Sequence, residues 1–290
     1  MFPLLPHAFA NLSEDFHTRQ NWEGFDNPFV VIENSDLKNE LGINSLGDQQ
    51  LLNIFNGTEK IESLKPLSMV YSGHQFGQYV EQLGDGRGLL LGQMSSNSGL
   101  IDIHLKGAGK TPYSRFGDGR AVLRSVIREY LCGEAMHALS IPTSRALMII
   151  GSDEMVIREK SESAAMLART AKTHIRFGSF EYFHYNNQPE NVKALADFCI
   201  DQYSTYFSRT PSAYEDFFRV IVERTASMIA KWQASGFNHG VMNTDNMSIL
   251  GETFDYGPYG FMEDYLPTYV CNHSDHQGRY AFKNQPYIGL

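Results

Sequence analysis

Several residues in this chain have the types and spacing to handle a polyphosphate. Gly84, Gly86 and Gly88 alternate with Asp85 and Arg87 in a turn between apolar runs, and glycine lets a backbone come close to a ligand. Lys106 ends the run Ile101-Asp102-Ile103-His104-Leu105-Lys106, whose alternation predicts a strand with the lysine on its polar face. Glu129 lies within Ala121 to Ala138, where apolar residues at 122, 123, 126, 127, 130 and 131 predict an amphipathic helix with Glu129 on its polar side. A lysine that holds phosphate oxygens must itself be fixed, and a carboxylate on an adjacent helix does so through a charge-assisted hydrogen bond. Late in the chain, Asn246 and Asp255 offer the hard oxygen atoms that magnesium takes together with phosphate oxygens.

In sequence order these parts are a glycine-rich turn, a strand lysine, a helix glutamate, then His239-Gly240…Asn246 and Asp255-Tyr256-Gly257. That is the order in which a protein kinase carries its glycine-rich loop, lysine, glutamate, catalytic-loop asparagine and metal aspartate. If Asn246 is the catalytic-loop asparagine, the aspartate that serves as base falls on Val241, which cannot accept a proton. Asp245 is the nearest carboxylate that can replace it. Gly107-Ala108-Gly109-Lys110-Thr111 looks like the end of a nucleotide-binding P-loop, but His104 stands where that motif needs its first glycine, and Pro112 follows.

The elements that must position these groups follow the same order. Residues 1–65 read as an N-terminal extension with little period, containing a short helix or two between Glu40 and Phe55. Residues 66–160 read as strand-rich, with a strand-turn-strand unit around the glycines, the lysine strand, the Glu129 helix, an apolar strand Arg145 to Ile150, and Met155 to Ile157 as a further strand paired with it. Residues 161–290 read as mainly helical, with helices over Ser161 to His174, Asn191 to Tyr206 and Ala213 to Ser235, the last stopped by Gly236. The expected class is α+β, a protein-kinase-like two-lobed fold with a strand-rich N-lobe, a helical C-lobe and a ligand cleft between them.

Composition narrows the function. The 290 residues are 42% hydrophobic and 20% charged, which suits a soluble globular chain. A formal net charge of -9 argues against a nucleic-acid partner, which needs a basic footprint. Cys132, Cys199 and Cys271 are far apart and form no CxxC pair, so buried reduced thiols are expected. Met1-Phe2-Pro3-Leu4-Leu5-Pro6-His7 lacks the charged start and continuous apolar core of a signal peptide, and no stretch reaches the roughly 20 apolar residues of a membrane helix. No membrane partner and a cytoplasmic location are expected.

The strings Tyr71-Ser72-Gly73-His74-Gln75-Phe76-Gly77, Leu105-Lys106-Gly107-Ala108-Gly109, Thr111-Pro112-Tyr113-Ser114-Arg115, Gly117-Asp118-Gly119-Arg120 and Arg128-Glu129-Tyr130 closely resemble the selenoprotein O family, as do His239 through Asn246 and Asp255-Tyr256-Gly257. These kinase-fold enzymes look like pseudokinases but act as protein adenylyltransferases. The resemblance runs from about residue 5 to the C-terminus and implies ATP bound in a flipped orientation, its α-phosphorus presented to a Ser, Thr or Tyr hydroxyl of a protein substrate. It implies that Gly84, Gly86, Arg87, Asp118 and Gly119 line the nucleotide, that Lys106 holds phosphate and is held by Glu129, and that Arg169 and Arg176, seven apart near one face of a helix, clamp the phosphates. It further implies Asp245 as general base, and Asn246 and Asp255 as ligands of magnesium or manganese, with Asp255 also facing the nucleotide. Family members are usually far longer, so a truncated C-lobe is expected. Two other readings stay open: an ordinary phosphotransferase, and a catalytically impaired fragment that only binds nucleotide.

Overall fold

The computed structural model of the chain describes residues 3–96 and 99–288. Met1 and Phe2 of the N-terminal run read for a signal peptide, and the last two residues, Gly289 and Leu290, lie outside the described residues. In chain order the elements are β1 (His17–Arg19), β2 (Phe29–Glu33), α1 (Ser35–Glu40), α2 (Asp48–Phe55), β3 (Leu67–Met69), β4 (Gly73–Gln75), β5 (Gln78–Val80), β6 (Gly88–Ser96), β7 (Gly99–Lys106) and β8 (Ala121–Val122). They continue as α3 (Leu123–Ala138), β9 (Arg145–Ile157), β10 (Ser161–Ala171), α4 (Phe177–Tyr185), α5 (Pro189–Gln202), α6 (Ala213–Ser235), β11 (Phe237–Asn238), β12 (Gly260–Phe261) and α7 (Gln285–Ile288). No helix among the described residues is long and apolar enough to cross a membrane.

The chain divides into two compact units. Unit 1 comprises Met1–Val70, Leu83–Glu134 and Ser144–His174; unit 2 comprises Tyr71–Gln82, Ala135–Thr143 and Ile175–Leu290.

Unit 1 is built on an eight-stranded antiparallel sheet in the order β1-β3-β6-β7-β10-β9-β2, with β8 added against β10. Because strand side chains alternate, β7 sorts its residues cleanly. Ile103 and Leu105 enter an apolar core shared with Leu51, Leu52, Ile54 and Phe55 of α2. Asp102, His104 and Lys106 point the other way, yet none is solvated: they are 0%, 1% and 9% exposed. Helix α3 covers this second face, packing Val126 against Ile149, Ala165 and Leu167. Buried polar groups on that face must therefore find partners within the protein.

Three readings of the sequence need correction. Ser161 to His174 is not helical; Ser161–Ala171 is strand β10, between β7 and β9. Arg169 and Arg176 therefore share no helix face: Arg169 is on β10, and Arg176 is the N-cap of α4. Arg145 to Ile150 and Met155 to Ile157 are one continuous strand, β9, rather than two paired ones. Elsewhere the expected elements form, among them α6 over Ala213–Ser235 with Gly236 left-handed (φ 68°) at its C-terminus. Cys132 and Cys199 are buried thiols, whereas Cys271 is half-buried with its Sγ 2.8 Å from Asn238 Oδ1.

In unit 2, α6 buries Phe217, Ile221, Met228, Ile229 and Trp232. Trp232 stacks on His239 (5.4 Å between ring centres, 17° between planes), and the imidazole Nε2 lies 3.1 Å from the Phe254 carbonyl oxygen. Burial pulls His239 below its ordinary pKa. A neutral ring there donates to that carbonyl and ties the segment carrying Asp255 to the segment leading to Asp245.

Candidate active site

Unit 1 assembles two cations on one carboxylate. Glu129, on α3, is 4% exposed because it lies between Val126 and Cys132 on the sheet-facing side of the helix, not on an exposed polar side. Its Oε2 accepts from Lys106 Nζ and its Oε1 from Arg169 Nη1 at 2.9 Å. Arg169 is directly opposite His104 across the β7–β10 ladder, and its Nε donates to His104 Nδ1 at 3.3 Å. The face continues inward: the His104 ring stacks on His174 (4.6 Å, 17°), and His174 approaches Asp102 Oδ2 through its backbone N at 3.0 Å and its Nδ1 at 3.2 Å. Asp102 Oδ1 takes His7 Nε2 at 2.7 Å and Gln93 Nε2 at 3.1 Å. Burial would push Asp102 up, but His7 and His174 outweigh it and hold the carboxyl well below its usual range. Burial, with Arg169 and His174 beside it, pulls His104 down to about 3.

The two glycine turns pin one another. In the first, Asp85 Oδ2 accepts from the Met69 amide at 3.0 Å. From the second segment, Thr111 Oγ1 donates to the Asp85 carbonyl at 2.8 Å and Ser114 Oγ to the Gly86 carbonyl at 2.5 Å. Arg87 is exposed, and its carbonyl accepts from the Gly107 amide at 2.7 Å. Gly119 has φ 75°, and a Cβ on it would sit 2.1 Å from the Gly109 carbonyl carbon, so only glycine fits where the two backbones touch. Asp118 is committed elsewhere: Arg158 grips it at 2.7 and 2.9 Å and, with the Arg120 amide, holds its carboxyl down at about 2 against the opposing pull of burial.

Unit 2 gathers Arg176, Asp245, Asn246 and Asp255. Arg176 is 1% exposed. Its guanidinium carbon stands 4.2 Å from the centre of the Tyr71 ring and 4.8 Å from that of Phe254, a desolvated cation–π setting. Its Nη1 donates to the Asp245 carbonyl at 2.6 Å and to Asp255 Oδ2 at 2.8 Å. Asp255 is a left-handed non-glycine residue (φ 58°), a conformation that needs support from its surroundings. Asn246 donates its Nδ2 to the Val241 carbonyl at 2.9 Å, which leaves its amide oxygen as an acceptor.

Asp245 is held by the β4–β5 hairpin. Gln75 Nε2 donates to Asp245 Oδ2 at 3.0 Å, and the His74 amide to Thr244 Oγ1 at 3.1 Å. Asp245 Oδ1 is buried with no hydrogen-bond partner among the described residues, and a Cβ on Gly73 would lie 2.5 Å from it. Burial pushes the Asp245 carboxyl up; the Gln75 bond and Arg176 work against it without cancelling it. Gln75, Gly73 and His104 escaped the reading of individual residues. In the sequence His104 shares the alternating face of Lys106, and Gly73 and Gln75 stand within the string 71–77, with no spacing that ties them to Arg169 or Asp245.

Residues 5–290 match the family model described as protein adenylyltransferase SelO. The chain belongs to that family. Among its relatives, the protein nucleotidyltransferase YdiU of Vibrio parahaemolyticus serotype O3:K6 (strain RIMD 2210633) is 54% identical over 285 residues, which is 98% of this chain and 58% of that protein. The protein of the same name from Erwinia tasmaniensis is 53% identical over 286 residues, 98% of this chain and 60% of that protein. That of Vibrio vulnificus strain YJ016 is 55% identical over 284 residues, 97% and 58% respectively. The chain thus spans less than two thirds of the length of these SelO-family relatives.

Proposed function

We propose that this chain carries the AMP-transfer chemistry of its family: AMP passes from ATP to a Ser, Thr or Tyr hydroxyl of a protein, and pyrophosphate is released. The observation that carries this reading is the pair of buried cations, Lys106 and Arg169, on the single buried carboxylate of Glu129. A lysine and an arginine fixed by one buried carboxylate are oriented cations in a desolvated place, which suits an anionic phosphate chain. Unit 1 corresponds to the strand-rich lobe of a protein-kinase-like fold and unit 2 to part of its helical lobe. Gly84, Gly86, Arg87 and Gly119 line the nucleotide. Asp118, its carboxylate spent on Arg158, contributes through the backbone of its turn.

Asn246 and Asp255 fit magnesium or manganese, since both offer hard oxygen atoms and the Arg176 bond orients the Asp255 carboxylate. Two protein oxygens would leave the rest of the shell to phosphate oxygens and water. When bound, the ion offsets the charge that builds on the leaving pyrophosphate. Asp245 takes the proton of the attacking hydroxyl, and its raised pKa makes it a better base than a solvated aspartate. The hydroxyl oxygen bonds to the α-phosphorus as the bond from that phosphorus to the bridging oxygen breaks. The proton then passes from Asp245 to solvent.

Incubation with ATP labelled at the α- or γ-phosphate, a divalent metal and casein as a generic hydroxyl-bearing acceptor tests the proposal. Label from the α position on protein, lost in Asp255→Ala and Asp245→Asn, is the expected result. Label from the γ position would mean a phosphotransferase, and ATP binding without transfer a nucleotide-binding chain only.

A further inference from the structure

The buried face of β7 contains a residue whose chemistry the nucleotide reading does not use. His104 is 1% exposed and lies one alternation inward from Lys106, opposite Arg169 on β10. Arginine has only donors, so the 3.3 Å contact between Arg169 Nε and His104 Nδ1 makes Nδ1 the acceptor and puts the ring proton on Nε2. That Nε2 has no hydrogen-bond partner among the described residues, and Asp85 Oδ1 of the first glycine turn lies 3.9 Å from it. The ring is held on both sides. His174 stacks against one face, and a Cβ on Gly88 would come within 2.4 Å of its Cε1. At 1% exposure and with these neighbours on either side, the ring is enclosed rather than solvent-facing.

We propose that His104 is a positioning residue for the phosphate-binding cations: its Nδ1 fixes the Arg169 guanidinium, Arg169 and Lys106 share Glu129, and the ring's other edge faces Asp85 of the glycine turn. This rests on the nucleotide reading of Lys106 and Arg169. Without the Nδ1 acceptor, the Nε edge of Arg169 loses its bond to His104, and its fork loses part of the orientation that makes arginine selective for phosphate oxygens. The cost falls on binding of the phosphate chain and spares the nucleoside.

Two measurements on the full chain test it. In the wild type, nitrogen-15 NMR should show His104 Nδ1 unprotonated and a coupling across the hydrogen bond from Arg169 Nε. A protonated Nδ1 with no coupling would overturn the proposal. Binding is then compared for ATP, tripolyphosphate and adenosine. His104→Leu, which keeps bulk and removes the acceptor, should weaken ATP and tripolyphosphate by about tenfold, the size expected for one hydrogen bond to a charged group, and leave adenosine unchanged. His104→Asn, whose Oδ1 takes the place of Nδ1, should restore most of that loss. An equal loss for adenosine, or no difference between leucine and wild type, would overturn it. Should wild-type protein bind none of the three, the nucleotide reading falls, while the coupling still decides whether His104 holds Arg169.

Discussion

Replacing Glu129 by alanine should damage the chain far more than its place on a helix would suggest. An exposed helix carboxylate contributes about 0–1 kcal/mol through an ion pair. Glu129 is 4% accessible and its partners are nearly as enclosed, Arg169 at 4% and Lys106 at 11% of side-chain surface. Breaking a buried pair by removing one partner costs about 3–5 kcal/mol, because the other charge is left desolvated and unpaired. Here one deletion removes the carboxylate that both cations share, so a loss within that range applies. Lys106→Met is milder, since Glu129 keeps Arg169. The order Glu129→Ala worse than Lys106→Met is therefore as informative as the size. Trp22 lies in unit 1 and Trp232 in unit 2, so urea denaturation followed by Trp22 fluorescence in a Trp232→Phe background reports the relevant unit. With a denaturant slope of about 2–3 kcal/mol/M, a loss of 3–5 kcal/mol lowers the midpoint by roughly 1–2.5 M. A shift below about 0.5 M, near what a surface pair would give, would refute the buried-cluster account, as would Lys106→Met proving equally destabilising.

Two further outcomes concern unit 2. The folded-state pKa of Asp245 is raised by burial, so the fold favours its protonated form; the group costs nothing below the ordinary aspartate value and destabilises increasingly as pH rises through the folded value. Asp245→Asn should therefore be more stable than wild type at pH 7, by about 1 kcal/mol, with the gap closing as pH falls toward 4, the ordinary aspartate range; a variant less stable than wild type at neutral pH would contradict this. Gly73→Ala puts a methyl group within 2.5 Å of Asp245 Oδ1 and should destabilise by about 1–3 kcal/mol through overpacking, a loss that thermal unfolding of the two proteins would detect or deny.

Much of this was legible because alternation and spacing survive in a linear string. The β7 strand, the Glu129 helix and the Gly236 stop are written in residue types whose local preferences agree with the fold. Strand β10 misled for a physical reason. Ala164 through Ala168 are all fully buried, so the strand shows no polar alternation, and a strand covered on both faces is indistinguishable by period from a buried helix. Alanine, methionine, leucine and arginine also favour helices, and that preference loses to pairing on both edges with β7 and β9. Reading β10 as a helix placed Arg169 beside Arg176 on one helix face, when the ladder places it opposite His104.

The partners that the sequence hid are those whose meaning depends on burial. Asp102, His104 and Lys106 read as the polar face of an amphipathic strand; under α3 the same alternation becomes a column of groups that must satisfy one another. A glutamate read as the polar side of a helix likewise becomes the carboxylate that Lys106 and Arg169 share once Val126 and Cys132 carry it inward. In both places periodicity says correctly which residues share a face and leaves open what covers it. The covering layer converts weak surface charges into strong, oriented ones.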